Sequence, residues 1–269
     1  MILSSTAISA NGQEMAITHC NGVCPKFESN LAASRASIVV HNLYAAGLNV
    51  DTGLADWVAY RITKEAVGVA SLLPREWQPD RLLRFSIDEQ QRELRASEVQ
   101  LPNISSSVSP YTGTNAPLIE KQERARLAPM TSFANSTYWS DLNNLSNMVP
   151  MPASLRLGPW LRLEQRLNDL VAKKDELYVI SGPLFLITQP LNTTAINVGF
   201  QPAAYYKIVV SDSGLATFMF SKDLKQQDRF CSHLGDFRQI EVMSSLEFFP
   251  GREFRQSPQL LEDLGCSIR

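Results

Sequence analysis

Three runs between residues 120 and 168 decide how this chain folds: EKQERARLAP at 120–129, YWSDLNNLSNMVPM at 138–151 and SLRLGPWLRLEQRLN at 154–168. In the third run Trp160, Leu163 and Leu167 recur at spacings of three and four residues, a pattern typical of an amphipathic helix. We predict this helix from about Gly158 to Lys173. Pro159 suits its first turn, where the missing N–H costs no hydrogen bond.

These three runs resemble the active-site segment of the DNA/RNA non-specific endonucleases, and in particular the secreted Serratia-type nucleases. That family carries Asp-Arg-Gly-His, then Leu-Ser-Asn-Ile-x-Pro-Gln, then Leu-Asn-x-Gly-x-Trp-x-x-Leu-Glu. Laid on this chain without a gap, the motifs fall on residues 123–126, 145–151 and 155–164. With the likeness of the flanking segments, the resemblance extends from about Cys20 to Cys266.

The resemblance implies an α+β fold of the ββα-metal nuclease type. A central antiparallel β-sheet is then flanked by helices, and the ββα-metal motif lies between Arg124 and Glu164. The run ASIVVHNLY at 36–44 alternates and carries β-branched residues, which predicts an early strand. Further strands are expected in DWVAYRITKEAVG, ELYVISGPLFL, PAAYYKIVVS and GLATFMFSKD, and FRQIEVMSSLEFFPG resembles the family's closing helix and turn.

Two positions of the family's catalytic machinery hold arginine in this chain. Cleavage of a phosphodiester by water needs a general base near neutral pH, a task that suits histidine. The family's histidine position is Arg126, and a guanidinium stays protonated and offers no acceptor lone pair. The asparagine that holds the metal corresponds to Arg156, whose positive charge repels Mg²⁺. We therefore expect the family mechanism to be lost, with Mg²⁺ absent, no metal site and no other cofactor.

Other cleft positions keep the family's residues. The matching positions are Arg75 in PREWQPD, Arg124, Asn147 and Glu164, whereas Asn168 stands where the family has an arginine. The resemblance makes Glu164, Arg126, Arg124 and Arg75 the expected catalytic or cleft residues, and Arg156, Asn147 and Asn168 the expected ligand-binding residues. Glu164 lies at the edge of the apolar stripe of the predicted helix, where its carboxylate can face a cleft.

The substitutions leave three functional hypotheses. In the first, a nuclease-fold protein without the family's chemistry binds nucleic acid or a small phosphate, sulfate or carboxylate compound in an arginine-rich cleft, because guanidinium groups bind such anions. In the second, the same cleft acts on a small molecule, with Glu164 kept ionised by neighbouring arginines as base or electrostatic stabiliser. In the third, the chain remains a divergent Mg²⁺-dependent DNA/RNA endonuclease with a displaced base.

Length and composition favour one large domain. The chain has 269 residues, of which 44% are hydrophobic and 19% charged, and no shift in composition marks a linker. The net charge of −2 argues against a broad attraction to nucleic acid, so any binding of a polyanion must be local. We expect an N-terminal tail or signal remnant over residues 1–19 and a single nuclease-like domain over residues 20–269.

The four cysteines occur as two pairs, Cys20 with Cys24 and Cys231 with Cys266. By spacing alone the first pair reads as half a zinc site, but no second Cys/His pair at ligand spacing follows. The resemblance implies two disulfides, Cys20–Cys24 and Cys231–Cys266, at places that match two small loops of the secreted nucleases. Paired disulfides imply an oxidising compartment, so we expect a secreted or periplasmic protein.

The sequence says less about two other kinds of partner, a membrane and a second copy of the chain. No apolar segment is long enough to span a bilayer, so no membrane partner is expected. The family often forms homodimers, which leaves a homodimer as one option here.

Two further features lie outside the family's motifs. None of the three histidines falls on the family's base position, and His41 is predicted to be a core or sheet-face residue. The segment 82–109 departs most from the family. It reads as a surface loop, or alternatively as an insertion that covers or reshapes the cleft.

Overall fold

In the computed structural model, the chain is described over residues 17–28, 36–49, 54–82, 119–185 and 202–266. The strands are β1 (Lys26–Phe27), β2 (Ala36–Val40), β3 (Ala45–Asn49), β4 (Ala55–Thr63), β5 (Arg124–Arg126), β6 (Met148–Pro150), β7 (Glu176–Leu184), β8 (Ala204–Ser211), β9 (Gly214–Ser221) and β10 (Leu246–Glu247). The α-helices are α1 (Ala153–Leu155), α2 (Leu161–Lys174), α3 (Phe237–Ser244) and α4 (Pro258–Asp263). Short 3-10 turns include Met130–Phe133, Trp139–Asn143 and Leu145–Asn147.

A six-stranded sheet forms the centre of the fold. Its strand order is β2-β3-β4-β7-β8-β9, and every neighbouring pair is antiparallel. Two further antiparallel pairs, β1 with β10 and β5 with β6, lie outside it. The expected α+β fold with a central antiparallel sheet is thereby confirmed.

The sheet is buried on both faces, which explains its nearly continuous apolar strands. Along β4, Val58 and Tyr60 point into one hydrophobic cluster, whereas Trp57 and Ala59 point into another, because successive side chains of a strand alternate between faces. The first cluster contains Ala125 of β5, Val149 of β6 and the apolar stripe of α2. The second contains Ile240 of α3 and the N-terminal disulfide.

The ββα unit lies against the first face of the sheet. Strands β5 and β6 pair so that Arg126 lies opposite Met148, and the chain then passes through α1 and a kinked turn into α2. Within that turn Gly158 has φ −107° and ψ −120°, which no helix contains. A Cβ at Gly158 would lie 2.7 Å from the carbonyl oxygen of Gln226, so the close approach requires glycine. The regular helix therefore begins at Leu161 and not at the predicted Gly158.

The predicted early strand over 36–44 is wrong in its extent, because the chain forms a hairpin there. Strand β2 ends at Val40, the N–H of His41 donates to the carbonyl of Tyr44 at 2.8 Å, and β3 begins at Ala45. Strand β3, which reads AAGLN, lacks the residues that favour strands, so the pattern did not reveal it. Its Gly47 makes room for Trp57, whose indole would lie 2.1 Å from a Cβ there.

Both expected disulfides are present, Cys20–Cys24 and Cys231–Cys266. Residues 1–16 of the expected tail and residues 83–109 of the divergent segment lie outside the described residues, so both interpretations stay predictions. Within the described part of the chain, no helix has the length and apolar character needed to cross a membrane.

Candidate functional site

Arg126, the last residue of β5, is fastened by contacts to two separate segments. Its Nε donates to the carbonyl of Leu142 at 3.2 Å, and its Nη2 donates to Oδ1 of Asn143 and, at 3.4 Å, to the carbonyl of Arg75. Its Cζ lies 4.3 Å from the ring centroid of Trp77, a cation–π contact. Arg126 therefore joins residues 75–77 to residues 142–143, and as a donor it cannot accept a proton from water.

Arg156 stands at the start of the kinked turn that leads into α2. Its Nη2 donates to the carbonyl of Gln122 at 3.0 Å. Its Nε is buried and has no hydrogen-bond partner among the described residues. A buried donor without an acceptor is costly, so this N–H is a source of instability in the described structure.

Arg75, Arg126 and Arg156 lie close enough to influence one another, and we call them the arginine cluster. Burial, followed by the charges of Arg75 and Arg156, lowers the pKa of Arg126 to about 10. Burial, followed by the charge of Arg75, also lowers the pKa of Arg156. Arg126 still carries its charge at neutral pH. In the described ranges no carboxylate forms an ion pair with any of the three.

Arg124 begins β5, two residues before Arg126. Alternate residues of a strand share a face, so both side chains leave the same side of β5. The Nε of Arg124 donates to the carbonyl of Ile119 at 2.8 Å. Arg124 is not among the charges that lower the pKa of Arg126 or of Arg156. The structure therefore places three of the four expected arginines in one electrostatic group, with Arg124 beside it.

The side chains of the two expected ligand-binding asparagines bond to the protein itself. Asn147 is fully buried; its Oδ1 accepts from the N–H of Ala128 at 2.8 Å, and its Nδ2 donates to the carbonyls of Ala128 and Leu142, both at 3.0 Å. Asn168 on α2 accepts at Oδ1 from Ser132 at 2.6 Å and donates to Oγ1 of Thr131 at 3.2 Å. Both amides hold neighbouring segments together.

Glu164 does not face an open cleft, because it forms a buried ion pair that the sequence interpretation missed. Its side chain on α2 is buried, and its Oε1 lies 3.1 Å from Nζ of Lys207, which is fully buried on β8. The same Nζ donates to the hydroxyl of Tyr60 at 3.1 Å and lies 4.1 Å from the ring centroid of Trp160. The lysine is thus satisfied by an anion, a hydroxyl and an aromatic ring.

The electrostatics of Glu164 follow from this pairing. Burial raises the pKa of Glu164, and the charge of Lys207 and its hydrogen bond oppose that rise. Among the described residues, no arginine contributes to the pKa shift of Glu164. The expectation that arginines hold Glu164 ionised stays a prediction without support among the described residues, where Lys207 is its partner. A single lysine inside the apolar run PAAYYKIVVS was the available signal, since a buried lysine requires a counterion.

The residues at this site do not fit the Mg²⁺ ion that the family resemblance implies. Mg²⁺ takes oxygen ligands in octahedral geometry. At the family's ligand position Arg156 offers only N–H donors, the carboxylate of Glu164 is paired with Lys207, and the amide oxygen of Asn147 accepts from Ala128. Across the ranges given above, no three His, Cys, Asp or Glu side chains come together as a ligand set.

A second polar cluster lies beside the sheet, where β2 ends. His41 is half-buried there, with Nε2 2.8 Å from Oδ2 of Asp80, and Ser146 donates to the same oxygen. Burial by itself raises the pKa of Asp80, but the hydrogen bonds of His41, Ser146 and the N–H of Leu82 outweigh it, so the net pKa is lowered. The prediction that His41 is a structural residue at the sheet agrees with this position.

Comparison with known proteins gives one family. The family model for the DNA/RNA non-specific endonucleases matches residues 27–254. A nuclease of Serratia marcescens is 29% identical over 279 aligned residues, which cover 98% of this chain and 95% of that protein. A nuclease of Nostoc sp. is 26% identical over 174 residues, covering 64% of this chain and 54% of that protein.

A solved structure agrees with the fold. EndoG, in the crystal structure of its complex with EndoGI, superposes with a TM-score of 0.56 at 16% sequence identity, covering 80% of this chain and 86% of that one. The strands β5 and β6 followed by α2 form the ββα unit expected from the motifs. The chain therefore belongs to the DNA/RNA non-specific endonuclease family.

Proposed function

We propose that this chain is a nuclease-fold protein that does not cleave phosphodiesters by the family's histidine and Mg²⁺ chemistry, and that its arginine cluster binds an anionic ligand. The ligand is nucleic acid or a smaller phosphate, sulfate or carboxylate compound. Membership in a family described as acting on DNA and RNA favours a phosphate-containing ligand.

The observation that carries this proposal is the uncompensated charge of the arginine cluster. The charges of Arg75 and Arg156 lower the pKa of Arg126, the charge of Arg75 lowers the pKa of Arg156, and no described carboxylate pairs with any of the three. Like charges held together in this way favour the binding of an anion. Within the described part of the chain the Nε of Arg156 has no acceptor, so this guanidinium keeps unused donor capacity for a phosphate.

The absence of the family's chemistry is proposed from the residue types. Arg126 at the general-base position remains protonated at neutral pH, and its Nε and Nη2 are hydrogen-bonded to the protein. Arg156 at the metal-ligand position offers no lone pair to a cation. With neither a base nor a ligand at these positions, water is not activated in the family's way.

The second hypothesis, a small-molecule enzyme that uses Glu164, receives no support from the geometry. A base or electrostatic stabiliser must reach the substrate. Glu164 is only 6% exposed, and its carboxylate is bonded to Lys207. We therefore place ligand binding at the arginines and not at Glu164.

The cellular setting and the assembly are part of the proposal. Two disulfides in a chain of this family support a secreted or periplasmic location, since such bonds persist in oxidising compartments. The homodimer expected from the resemblance stays a prediction, which sedimentation velocity tests directly.

A binding titration in EDTA tests the proposed function. The titrants are a fluorescent single-stranded oligonucleotide, inorganic phosphate and sulfate, and the proteins are the parent, Arg156→Gln and Arg238→Gln. Arg238 is the matched control, because it carries the same charge on α3 and is already paired with Glu241. We expect Arg156→Gln to weaken binding about tenfold, the worth of one charge-assisted hydrogen bond, and Arg238→Gln to leave binding unchanged.

Two results would overturn the proposal. If the parent binds none of these anions, or if Arg156→Gln and Arg238→Gln lose affinity equally, the arginine cluster is not a binding site. If the parent nicks supercoiled plasmid with Mg²⁺ in a reaction that Glu164→Ala abolishes, the chain is a divergent endonuclease with a displaced base.

A further inference from the structure

A cleft of about 720 Å³ lies where strand β2 ends, and we call it the β2 cleft. Its walls come from three segments, residues 40–42, residues 78–82 and residues 140–144. Among the described residues that line it, none belongs to the arginine cluster. The site proposed above therefore does not account for this cleft.

Two of these segments are held together by the backbone and the side chain of Gln78. The N–H of Gln78 donates to the carbonyl of Asn143 at 2.9 Å, and the carbonyl of Gln78 accepts from the N–H of Leu145 at 3.1 Å. Its side-chain amide donates to the carbonyl of Ser140 at 3.1 Å and to Oδ1 of Asn144 at 2.8 Å. Because these bonds form within the protein, the β2 cleft has its shape before a ligand arrives.

Asp141 joins the third segment to the other two and lines the β2 cleft with a carboxylate. Its Oδ2 accepts from the backbone N–H of Asn42 at 3.2 Å and from Nδ2 of Asn42 at 3.0 Å. Its main-chain carbonyl accepts from the hydroxyl of Tyr44 at 3.3 Å. Oδ1 has no hydrogen-bond partner among the described residues. The protein therefore orients this carboxylate and leaves one of its oxygens for a ligand.

Arg81 brings the opposite charge to the same cleft. Its side chain is exposed and forms no ion pair with any described residue. Asp141 likewise has no cationic partner in the described part of the chain. The β2 cleft therefore carries one positive and one negative side chain that do not neutralise each other by contact.

Apolar side chains border the β2 cleft as well. Val40, the last residue of β2, is 47% exposed, and Leu82 is 43% exposed. Pro79 lies on the same wall as Leu82, in the segment 78–82. Contact with an aliphatic body removes such surfaces from water, which favours binding. A matching ligand therefore combines an aliphatic body with two opposite charges.

We infer that the β2 cleft binds a small aliphatic amino acid, a compound in which a short alkyl chain joins an ammonium group to a carboxylate. The ammonium donates to the carboxylate of Asp141, and the carboxylate of the ligand accepts from the guanidinium of Arg81. The alkyl chain lies against Val40 and Leu82. A simple anion or cation satisfies only one of the two charges, whereas a zwitterion satisfies both. This inference does not depend on the proposed function, because it uses a different group of residues.

Isothermal titration calorimetry of the whole protein tests the inference. The probes are glycine, β-alanine, γ-aminobutyrate and ε-aminocaproate, in which the separation of the two charges increases stepwise. For the tightest of these, the N-acetyl derivative lacks the ammonium charge and the carboxamide lacks the carboxylate charge.

The variants are Asp141→Asn and Arg81→Gln, and each has a matched control. Asp212→Asn removes an exposed carboxylate in the turn between β8 and β9, and Arg238→Gln removes a guanidinium on α3. Circular dichroism and thermal melting establish that each variant folds. If a variant does not fold, the comparison of the amino acid with its two derivatives on the parent still decides.

We expect the parent to bind one of the amino acids at least about tenfold more tightly than either derivative, because each charge of the ligand forms a charge-assisted hydrogen bond. Asp141→Asn should abolish the preference over the N-acetyl derivative and keep the preference over the carboxamide. Arg81→Gln should do the reverse, and neither control should change the affinity. This crossed pattern assigns each charge of the ligand to one side chain, whereas a general loss of structure weakens all ligands alike.

Three results contradict the inference. The parent may bind no amino acid more tightly than its derivatives, or a control variant may lose as much affinity as its partner. The third is an equal loss in Arg156→Gln and Arg81→Gln, which assigns the binding to the arginine cluster. The anion titration described above tests the proposed function separately, so either proposal can fail while the other stands.

Discussion

The arginine cluster and the Glu164–Lys207 pair each take one residue from near the start of α2, Arg156 and Glu164, but the charges in them are arranged in opposite ways. In the pair, two opposite charges are buried at 3.1 Å and complete each other, with Tyr60 and Trp160 around the lysine. In the cluster, three like charges converge without a described carboxylate between them. The fold itself satisfies the pair, whereas within the described part of the chain no counterion satisfies the cluster, which is why we propose that an anion binds there.

This difference separates charges that the fold compensates from charges that have no counterion among the described residues. A buried ion pair contributes little net stability but is costly to break, because one partner is left without compensation. A group of like charges near the surface lowers stability until an anion arrives, and ligand binding then stabilises the folded state. Glu164, at which the family resemblance led us to expect a catalytic residue, belongs to the buried ion pair.

The largest expected effect comes from breaking the buried pair. Lys207→Met leaves a buried carboxylate and Glu164→Leu leaves a buried ammonium, so each single change should lower the free energy of unfolding by about 3 to 5 kcal/mol. The double variant Glu164→Leu/Lys207→Met should lose much less than the sum, because it leaves no unpaired charge. Urea denaturation at pH 7 measures all three. Strictly additive losses would show that the two side chains act independently.

A second prediction attempts to turn the cluster back into a catalytic site. Arg126→His supplies a base without a metal ligand, and Arg156→Asn supplies the ligand without a base. Since base and metal act in one transition state, each single variant should stay near background in Mg²⁺-dependent nicking of plasmid. The double variant should exceed background by about a hundredfold, the low end for general base catalysis.

The parent and both single variants are the controls for that assay. Asn168→Arg can be added to the double variant, since the family has an arginine there. A double variant that folds, binds Mg²⁺ and still does not nick DNA would show that the site differs from the family in more than these two positions.

Asp56 on β4 offers a third case, a half-buried carboxylate whose pKa burial raises to about 6. Below about pH 4 the carboxyl group of Asp56 is protonated, and therefore neutral, in both the folded and the unfolded state. Between the unfolded pKa and the folded value, the folded state keeps a proton that the unfolded state releases, so the contribution of Asp56 to stability is lost as the pH rises. Asp56→Asn should therefore gain about 1 to 2 kcal/mol over the parent at pH 7, after allowance for partial exposure.

Unfolding of Asp56→Asn and the parent at pH 4, 5.5 and 7 measures this gain. The two proteins should converge in stability near pH 4. A variant that is less stable than the parent at pH 7 would mean that Asp56 has a favourable partner when ionised.

The smallest expected effect is a gain in stability from removing one charge of the cluster. Arg156→Gln removes repulsion toward Arg75 and Arg126 and the buried Nε that has no partner, so the free energy of unfolding should rise by roughly 0.5 kcal/mol. The bond to Gln122 limits the gain. Phosphate should stabilise the parent more than this variant in thermal melting. A loss of stability as large as that of Lys207→Met would place Arg156 among the structural charges.

The family motifs were readable because they are local. The residues of the third run, from Leu155 to Glu164, follow one another along a turn and a helix, so their spacing alone predicts the apolar face of α2. The register of the motifs also named Arg75, Arg126 and Arg156, three positions that the structure brings together. Strand β3 was not predicted because its alanine and glycine residues show no strand pattern. Trp57, which packs against Gly47 of this strand, lies in another segment of the sequence.

The sequence by itself determined the family, the ββα unit, both disulfides and the arginines at the positions of the base and the metal ligand. The tertiary structure decided which charges are compensated. Lys207 meets Glu164 across 43 residues, and the amide of Asn147 meets Ala128 across 19, because sheet pairing and the path of the turn before α2 bring these segments together. A charge is structural or available according to its neighbours in space, and spacing along the chain does not encode them.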